Sequence, residues 1–340
     1  KLDLLCAHIL VHTGQNYTES LNDVFFRELG LRKPNYSLGI QEKTFGAQIG
    51  RIMEKTEEIL LKEKPDRFLV LGDTNSALSA FIAERYGIPV FHMEAGNRCY
   101  DLKVPEEVNR KMIDAISTWS FPYTPGSREN LIREGKEKRK ISISGNPIKE
   151  VLTAFESEIE ASKILNILEI EKGNYFLVTL HRAENVDVKE RLIELMEGLV
   201  AVANKYRKPI ICSTHPRTRD KLSRYGLDYS EDIRFLEPLG FFDFVKLERN
   251  AKCVLTDSGT VQEECCLFHV PTVTLRDSTE RPETIECGSN ILSGIDKEKV
   301  VNCVDLMSIS DRNWQIPEGY DVTDVSDRMV KHLLGGEWFV

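Results

Sequence analysis

Cys253-Val254-Leu255-Thr256-Asp257-Ser258-Gly259-Thr260-Val261-Gln262-Glu263-Glu264 is a short apolar β-type run that ends in a small-residue turn and passes straight into a helical pattern. That succession is one strand-to-helix step of an α/β fold, in which the turn at the carboxyl end of the strand carries the free N–H groups of the helix start. Reading outward, the same succession recurs after Phe176–Leu180, Pro209–Ser213, Ile233–Leu236 and Val270–Leu275 in the second half. In the first half it follows His8–Val11, Arg67–Leu71, Val90–His92, Thr118–Phe121 and Ile141–Ser144. Between these runs Phe45, Ile49, Ile52, Met53, Thr56, Ile59 and Leu60 repeat at helical spacing, so an amphipathic helix is expected over about 42–63, stopped by Pro65-Asp66. Alternating short strands and longer helices predict parallel sheets. The expectation is an α/β protein of two Rossmann-like domains facing each other across a cleft, with functional residues directly after strands.

A strand-poor, charged stretch at 148–172 separates the two series. The expected domains are therefore 1–147, then 148–320, with 321–340 as a C-terminal helix packing back on the first. Lys1 opens the chain and leads almost at once into the strand at His8, so a strand and a helix of the first domain are expected to precede it.

Composition narrows the function classes. The 340 residues suit two domains, and 41% hydrophobic with 29% charged residues is the mix of an ordinary globular protein. A formal net charge of -9 argues against a nucleic-acid partner, because nothing offsets repulsion of the phosphate backbone. No apolar run reaches the ~20 residues of a membrane span, and no signal-peptide pattern opens the chain, so a cytoplasmic location and no membrane partner are expected. The eight cysteines show no zinc spacing and sit mostly in apolar runs, which reads as buried free thiols.

The strand-end residues carry the chemistry. Gly72-Asp73-Thr74 follows one strand, His92-Met93-Glu94-Ala95-Gly96 the next, and Pro105-Glu106-Glu107 with Asn109-Arg110 comes shortly after. Carboxylates gathered in one crevice raise one another's pKa, which lets one serve as acid while another serves as base. The plainer alternative is that Asp73 caps its helix and Glu106 and Glu107 are first-turn acids. In the second half, His181-Arg182-Ala183-Glu184-Asn185, Thr214-His215-Pro216-Arg217 and Asp257-Ser258-Gly259-Thr260 occupy the equivalent places. Ser-Gly-Thr at a helix start suits a diphosphate, and Glu264 one turn on suits two ribose hydroxyls. Small residues at a helix start are also common without a ligand, and a strand-end histidine often serves only structure. The loop Arg276-Asp277-Ser278-Thr279-Glu280-Arg281-Pro282-Glu283-Thr284 is unusually dense in charge for a surface turn.

Taken in order, these motifs resemble those of the non-hydrolysing UDP-N-acetylglucosamine 2-epimerases. The resemblance implies a glycosyltransferase-B type fold, a homodimer, UDP in the interdomain cleft, and no metal or redox cofactor. It implies a reaction in which the C2 proton is removed while UDP leaves C1, giving a 2-acetamidoglucal to which UDP re-adds after protonation on the other face. By motif, Asp73, Glu94, Glu106 and His181 match the catalytic set. Arg110, Arg182, Glu184, Asn185, His215, Ser258, Gly259, Thr260, Glu264 and Arg281 match UDP-sugar contacts. Three departures stand out. The family's opening strand with its Gly-Thr-Arg-Pro-Glu turn is not in these residues; Asn16 stands where members regulated by a second substrate molecule carry histidine; and the loop 97–103 is short, as in a branch acting on related sugars. An epimerase of another UDP-2-acetamido hexose, including 6-deoxy types, and a glycosyltransferase-B type transferase therefore remain alternatives.

Overall fold

The computed structural model describes residues 1–14 and 19–335; Asn16 and the chain beyond 335 lie outside the described residues. The strands are β1 (Val11–His12), β2 (Tyr36–Ser37), β3 (Phe68–Leu71), β4 (Val90–Met93), β5 (Trp119–Phe121), β6 (Phe176–Thr179), β7 (Ile210–Ser213), β8 (Ile233–Leu236), β9 (Cys253–Thr256), β10 (Thr272–Thr274) and β11 (Asn290–Leu292). Every pairing among them is parallel. The α/β expectation holds, with two Rossmann-like units. One comprises Lys1–Glu19, Gly30–Glu150 and Glu318–Val340, the other Ser20–Leu29 and Val151–Pro317. The crossing at Glu150/Val151 falls just past the expected 147/148.

In the first unit β3, β4 and β5 form one sheet and β1 pairs with β2 in another. A cavity of about 400 Å³ is bordered by β1 and β3, with Ile9, Val11, Leu60, Leu69 and Leu71 in its wall. Helix Phe45–Glu63 starts three residues later than the spacing suggested, because Thr44 turns its hydroxyl onto the Ala47 N–H (3.3 Å) and caps it there. Its apolar stripe packs with Val70, Ala77 and Val90. Helix Val325–Leu334 covers the opposite side through Val325, Met329 and Leu333, which meet Phe91, Met93 and Phe121. The expected strand Ile141–Ser144 is reduced to a single bridge from Ile141 to Ser120.

The second unit carries six strands in the order β11-β10-β9-β6-β7-β8. From β6 the chain builds outward through β7 and β8, then crosses back to place β9 on the other side. In open parallel sheets that reversal leaves a crevice beyond the carboxyl ends of the two central strands, the usual place for a ligand. Here it falls between β6 and β9. Phe176, Val178, Ile210, Cys253 and Leu255 form the core on one face of the sheet with helix Lys189–Tyr206. Tyr175, Leu177, Ile211 and Val254 do so on the other.

Candidate active site

In the first unit the turn after β3 is held from three sides. Gly72 takes φ +73, and a Cβ there would lie 3.3 Å from Glu94 Oε2, so the absent side chain lets the Glu94 carboxyl lean over the turn that carries Asp73. Glu94, at the end of β4, has φ +66, a left-handed backbone that a glutamate adopts at a cost. Helix Pro105–Ile116 supplies the third side. Its Asn109 amide donates to the Asp73 carbonyl (2.9 Å), and Arg110 donates to Asp73 Oδ2 through Nε (3.1 Å) and Nη2 (2.5 Å). Glu106, half-buried, sits on the first turn of the same helix. The structure therefore brings Asp73, Glu94 and the Glu106 helix to one turn.

A buried scaffold lies beneath them. Glu107, fully buried, accepts from Arg110 Nη1 (2.6 Å) and from the Cys99 and Tyr100 N–H groups. Asp114 accepts from the Gly96 N–H (3.0 Å) and pairs with Arg98 (2.7 Å) and His92 Nδ1 (2.8 Å). Burial alone would raise the Asp114 carboxyl, but His92 and then Arg98 hold it below its ordinary value. His92 is wholly buried, and its other ring nitrogen, Nε2, meets the Gly72 carbonyl (2.9 Å). With both ring nitrogens occupied it fixes the turn instead of reaching a substrate. Asp114 is absent from the motifs read in the sequence, and Glu107 and Arg110, which belong to them, join it in this scaffold. Their spacing of three and four residues puts them on one helix face, a signal legible beforehand.

Gly96 is the tightest point of this scaffold. At φ +81, a Cβ would lie 2.1 Å from the Ser127 carbonyl oxygen and 2.9 Å from Leu131 Cγ. Gly96→Ala is expected to destabilise the protein by at least ~2 kcal/mol, left-handed strain adding to the clash. A urea midpoint unchanged from the parent would contradict this.

In the second unit the residues after β6 and β9 converge. Asp257, fully buried, accepts from the backbone N–H of His181 (3.1 Å) and Arg182 (3.0 Å) and from the Asn185 amide (3.2 Å), and pairs with His181 Nδ1 (3.0 Å). Burial pushes its carboxyl up, yet the imidazole and these donors leave it below its ordinary value. The other edge of the His181 ring is free of this pairing, and the side chain is 37% exposed. The His215 ring centre stands 5.8 Å from that of His181. Partial desolvation, then the charges of His181 and Arg217, hold the His215 imidazole below its usual range.

Ser258 stands at the N-cap of helix Gly259–Phe268, and its hydroxyl makes no capping bond. Gly259 is buried, and a Cβ there would meet Glu280 Oε1 at 2.7 Å. That close approach seats the helix start against the charged loop, where Glu280 binds Arg276 (2.9 Å) and Arg182 (3.2 Å) and Arg281 pairs with Glu263. Glu184 approaches Arg276 at 3.6 Å. Thr260 is exposed, whereas Glu264 is only 4% exposed. Asn185, expected among the ligand contacts, is fully buried with its amide on Asp257 and the Leu275 carbonyl (2.9 Å), so it supports the turn. Among the described residues no three or more His, Cys, Asp or Glu side chains gather as a metal ion requires, and no helix is long and apolar enough to cross a membrane.

These features match known proteins over nearly the whole chain. The family described as UDP-N-acetylglucosamine 2-epimerase matches residues 5–334. A UDP-N-acetylglucosamine 2-epimerase of Methanocaldococcus jannaschii is 44% identical over 97% of this chain and 92% of its own length. A UDP-2,3-diacetamido-2,3-dideoxy-D-glucuronate 2-epimerase of Pseudomonas aeruginosa is 37% identical over 87% of this chain and 82% of its own. Among solved structures, the M. jannaschii UDP-GlcNAc 2-epimerase in complex with UDP-GlcNAc and UDP is 42% identical and superposes with a TM-score of 0.93, covering 98% of this chain and 94% of the other.

Proposed function

The chain belongs to the UDP-N-acetylglucosamine 2-epimerase family, and from that premise we infer that it is an isomerase interconverting UDP-N-acetylglucosamine and UDP-N-acetylmannosamine. The observation that carries the reading is the pairing of His181 with buried Asp257 beside the start of helix Gly259–Phe268, at the topological reversal of the six-stranded sheet, an arrangement that suits a diphosphate.

The C2 hydrogen is weakly acidic and the leaving group is a diphosphate, so the reaction needs a positioned base, an acid on the opposite face, and compensation for charge on departing UDP. Asp73, Glu94 and Glu106 supply the proton chemistry. One carboxylate takes the C2 proton as the C1–O bond to UDP breaks, leaving a C1–C2 double bond. A second carboxyl then protonates C2 on the other face while the UDP oxygen re-adds at C1, so atoms and charge balance over the cycle. Arg110, held against Asp73 and Glu107, positions the first of these groups. His181, oriented by Asp257, and Arg182 offset charge on the diphosphate, with Ser258, Gly259 and Thr260 offering hydroxyls and N–H groups to it. Glu264 accepts the ribose hydroxyls, and Glu184, His215 and Arg281 complete the surround. The eight cysteines are free thiols and suit a reducing compartment, in keeping with a cytoplasmic enzyme; a homodimer completes the reading.

Proton NMR of UDP-N-acetylglucosamine with the protein in heavy water tests this in one sample. Loss of the C2 proton signal together with growth of the manno epimer is expected. Release of free sugar one-for-one with UDP, or no exchange at C2, would overturn it. The relative acting on a diacetamido uronate favours a second reading, a related UDP-2-acetamido sugar as substrate, and the same experiment with that sugar ranks the two by rate.

A further inference from the structure

Two of the thiols meet. Cys266 Sγ and Cys287 Sγ stand 3.8 Å apart, although 21 positions separate them in the chain. Cys266 lies near the end of helix Gly259–Phe268 and is 0% exposed. Its backbone is fixed there, because its carbonyl accepts from Trp314 Nε1 (3.0 Å) and from the His269 N–H that closes the helix (3.3 Å). Cys287 ends the short helix Pro282–Glu286 and is half-buried, so solvent reaches one thiol of the pair and not the other. The Cys287 sulfur also lies 3.3 Å from the Ser289 hydroxyl and 3.5 Å from the Thr284 carbonyl. Gly288 follows, exposed and at φ +83, and a Cβ there would meet nothing within 4 Å. The chain beside Cys287 therefore has open space in which to shift, whereas Cys266 is held.

Sulfurs in van der Waals contact need to close by roughly 2 Å to reach the bonded length. In a reducing compartment such a pair stays open and closes only when an oxidant arrives, the usual setting of a redox-sensing thiol pair. We propose that Cys266 and Cys287 are a peroxide-sensitive pair, oxidised reversibly to a disulfide that staples the charged loop 276–284 to the helix beginning at Gly259. The Cys287 thiolate attacks one oxygen of hydrogen peroxide and becomes a sulfenic acid as the O–O bond breaks and hydroxide leaves. The Cys266 sulfur then attacks the Cys287 sulfur, and its proton departs with the displaced hydroxide as water. Two thiols have given up two protons and two electrons, and one peroxide has become two waters. A dithiol reductant restores both thiols by exchange. The order of attack follows from exposure, and the Cys266 contact supports it. That contact, aided by Ser289, brings the Cys287 thiol down to about 6 despite partial burial, while the same contact and burial raise Cys266. The segments joined already touch elsewhere, through Arg281 with Glu263 and through Glu280 against Gly259. Oxidation therefore holds the loop where it already lies and removes freedom only from the unfolded chain.

The full chain, reduced and freed of dithiothreitol, is treated with equimolar hydrogen peroxide, alkylated and digested, and mass spectrometry maps each thiol. A cross-linked peptide pair carrying Cys266 and Cys287 is expected, lighter by two hydrogens than its separate parts and lost on adding dithiothreitol. The urea midpoint of the oxidised protein should exceed that of the reduced protein and fall back with the same reductant. In Cys266→Ser the sulfenic acid at Cys287 should accumulate, be trapped by dimedone, and leave the midpoint without that rise. Oxidation of Cys287 beside an alkylated Cys266 in the wild-type protein overturns the pair. So does peroxide spent at the exposed Cys6 while Cys266 and Cys287 both remain thiols. A Cys266–Cys287 disulfide that leaves the midpoint unchanged or lowers it overturns the staple. If Cys266→Ser does not fold, the map of the wild-type thiols and its two midpoints decide.

Discussion

Asp73→Asn is expected to lower the rate of C2 exchange and of epimer formation by ~100-fold to ~10,000-fold, the range an acid–base group contributes. The substitution keeps size and shape, and Arg110 retains Glu107 as its partner, so the buried guanidinium is not left uncompensated. The folded state should therefore persist, with circular dichroism and a cooperative melt close to the parent. Glu94→Gln and Glu106→Gln are expected to lose at least ~100-fold for the same reason. Each tests a separate role. Exchange at C2 that survives in one variant while epimer formation fails marks the substituted carboxyl as the one working on the second face. Near-parental turnover in any variant removes that residue from the set.

Asp257→Asn is expected to strike both halves of the problem, costing about 3 kcal/mol of stability and at least ~100-fold in turnover. The carboxylate is fully buried and gathers the His181 and Arg182 N–H groups, the Asn185 amide and the His181 ring. An amide in its place turns a donor towards donors, and the imidazole loses the partner that orients it. The effect has a pH signature. Because the folded-state pKa of Asp257 is depressed, its contribution is complete above the unfolded value of about 3.9 and fades as pH falls through the folded one. The difference in urea midpoint between parent and variant should thus be constant near neutrality and shrink in acid. A difference that widens below pH 4 would falsify the assignment.

Much of this was legible in the chain. Runs such as Phe68–Leu71, Phe176–Thr179 and Cys253–Thr256 are short, apolar and followed by turn residues, so strand, direction and ligand-bearing end could be read together. What escaped depends on contacts distant in sequence. Asn290–Leu292 is an edge strand of three residues, recognisable only once β10 is beside it. Ile141–Ser144 has strand composition but only one bridge to Ser120. Arg110 and Asn185 sit within informative motifs, and composition cannot tell a side chain that faces a ligand from one that faces inward to hold the turn.

The left-handed backbone of Glu94 has a consequence for how the protein responds to selection. A glutamate at φ +66 forfeits roughly 1–2 kcal/mol that glycine at the same position would not, and asparagine would recover part of it. The residue whose carboxyl leans over the Gly72 turn is therefore also a point where the folded chain is under tension. Random variants sorted only for resistance to heat would accumulate Gly or Asn at 94 and pass the screen while losing their chemistry. Variants sorted for turnover would keep glutamate and accept the lower melting point. Thermostability and activity are set against each other at this one backbone angle, so an engineered form that needs both must gain its stability elsewhere.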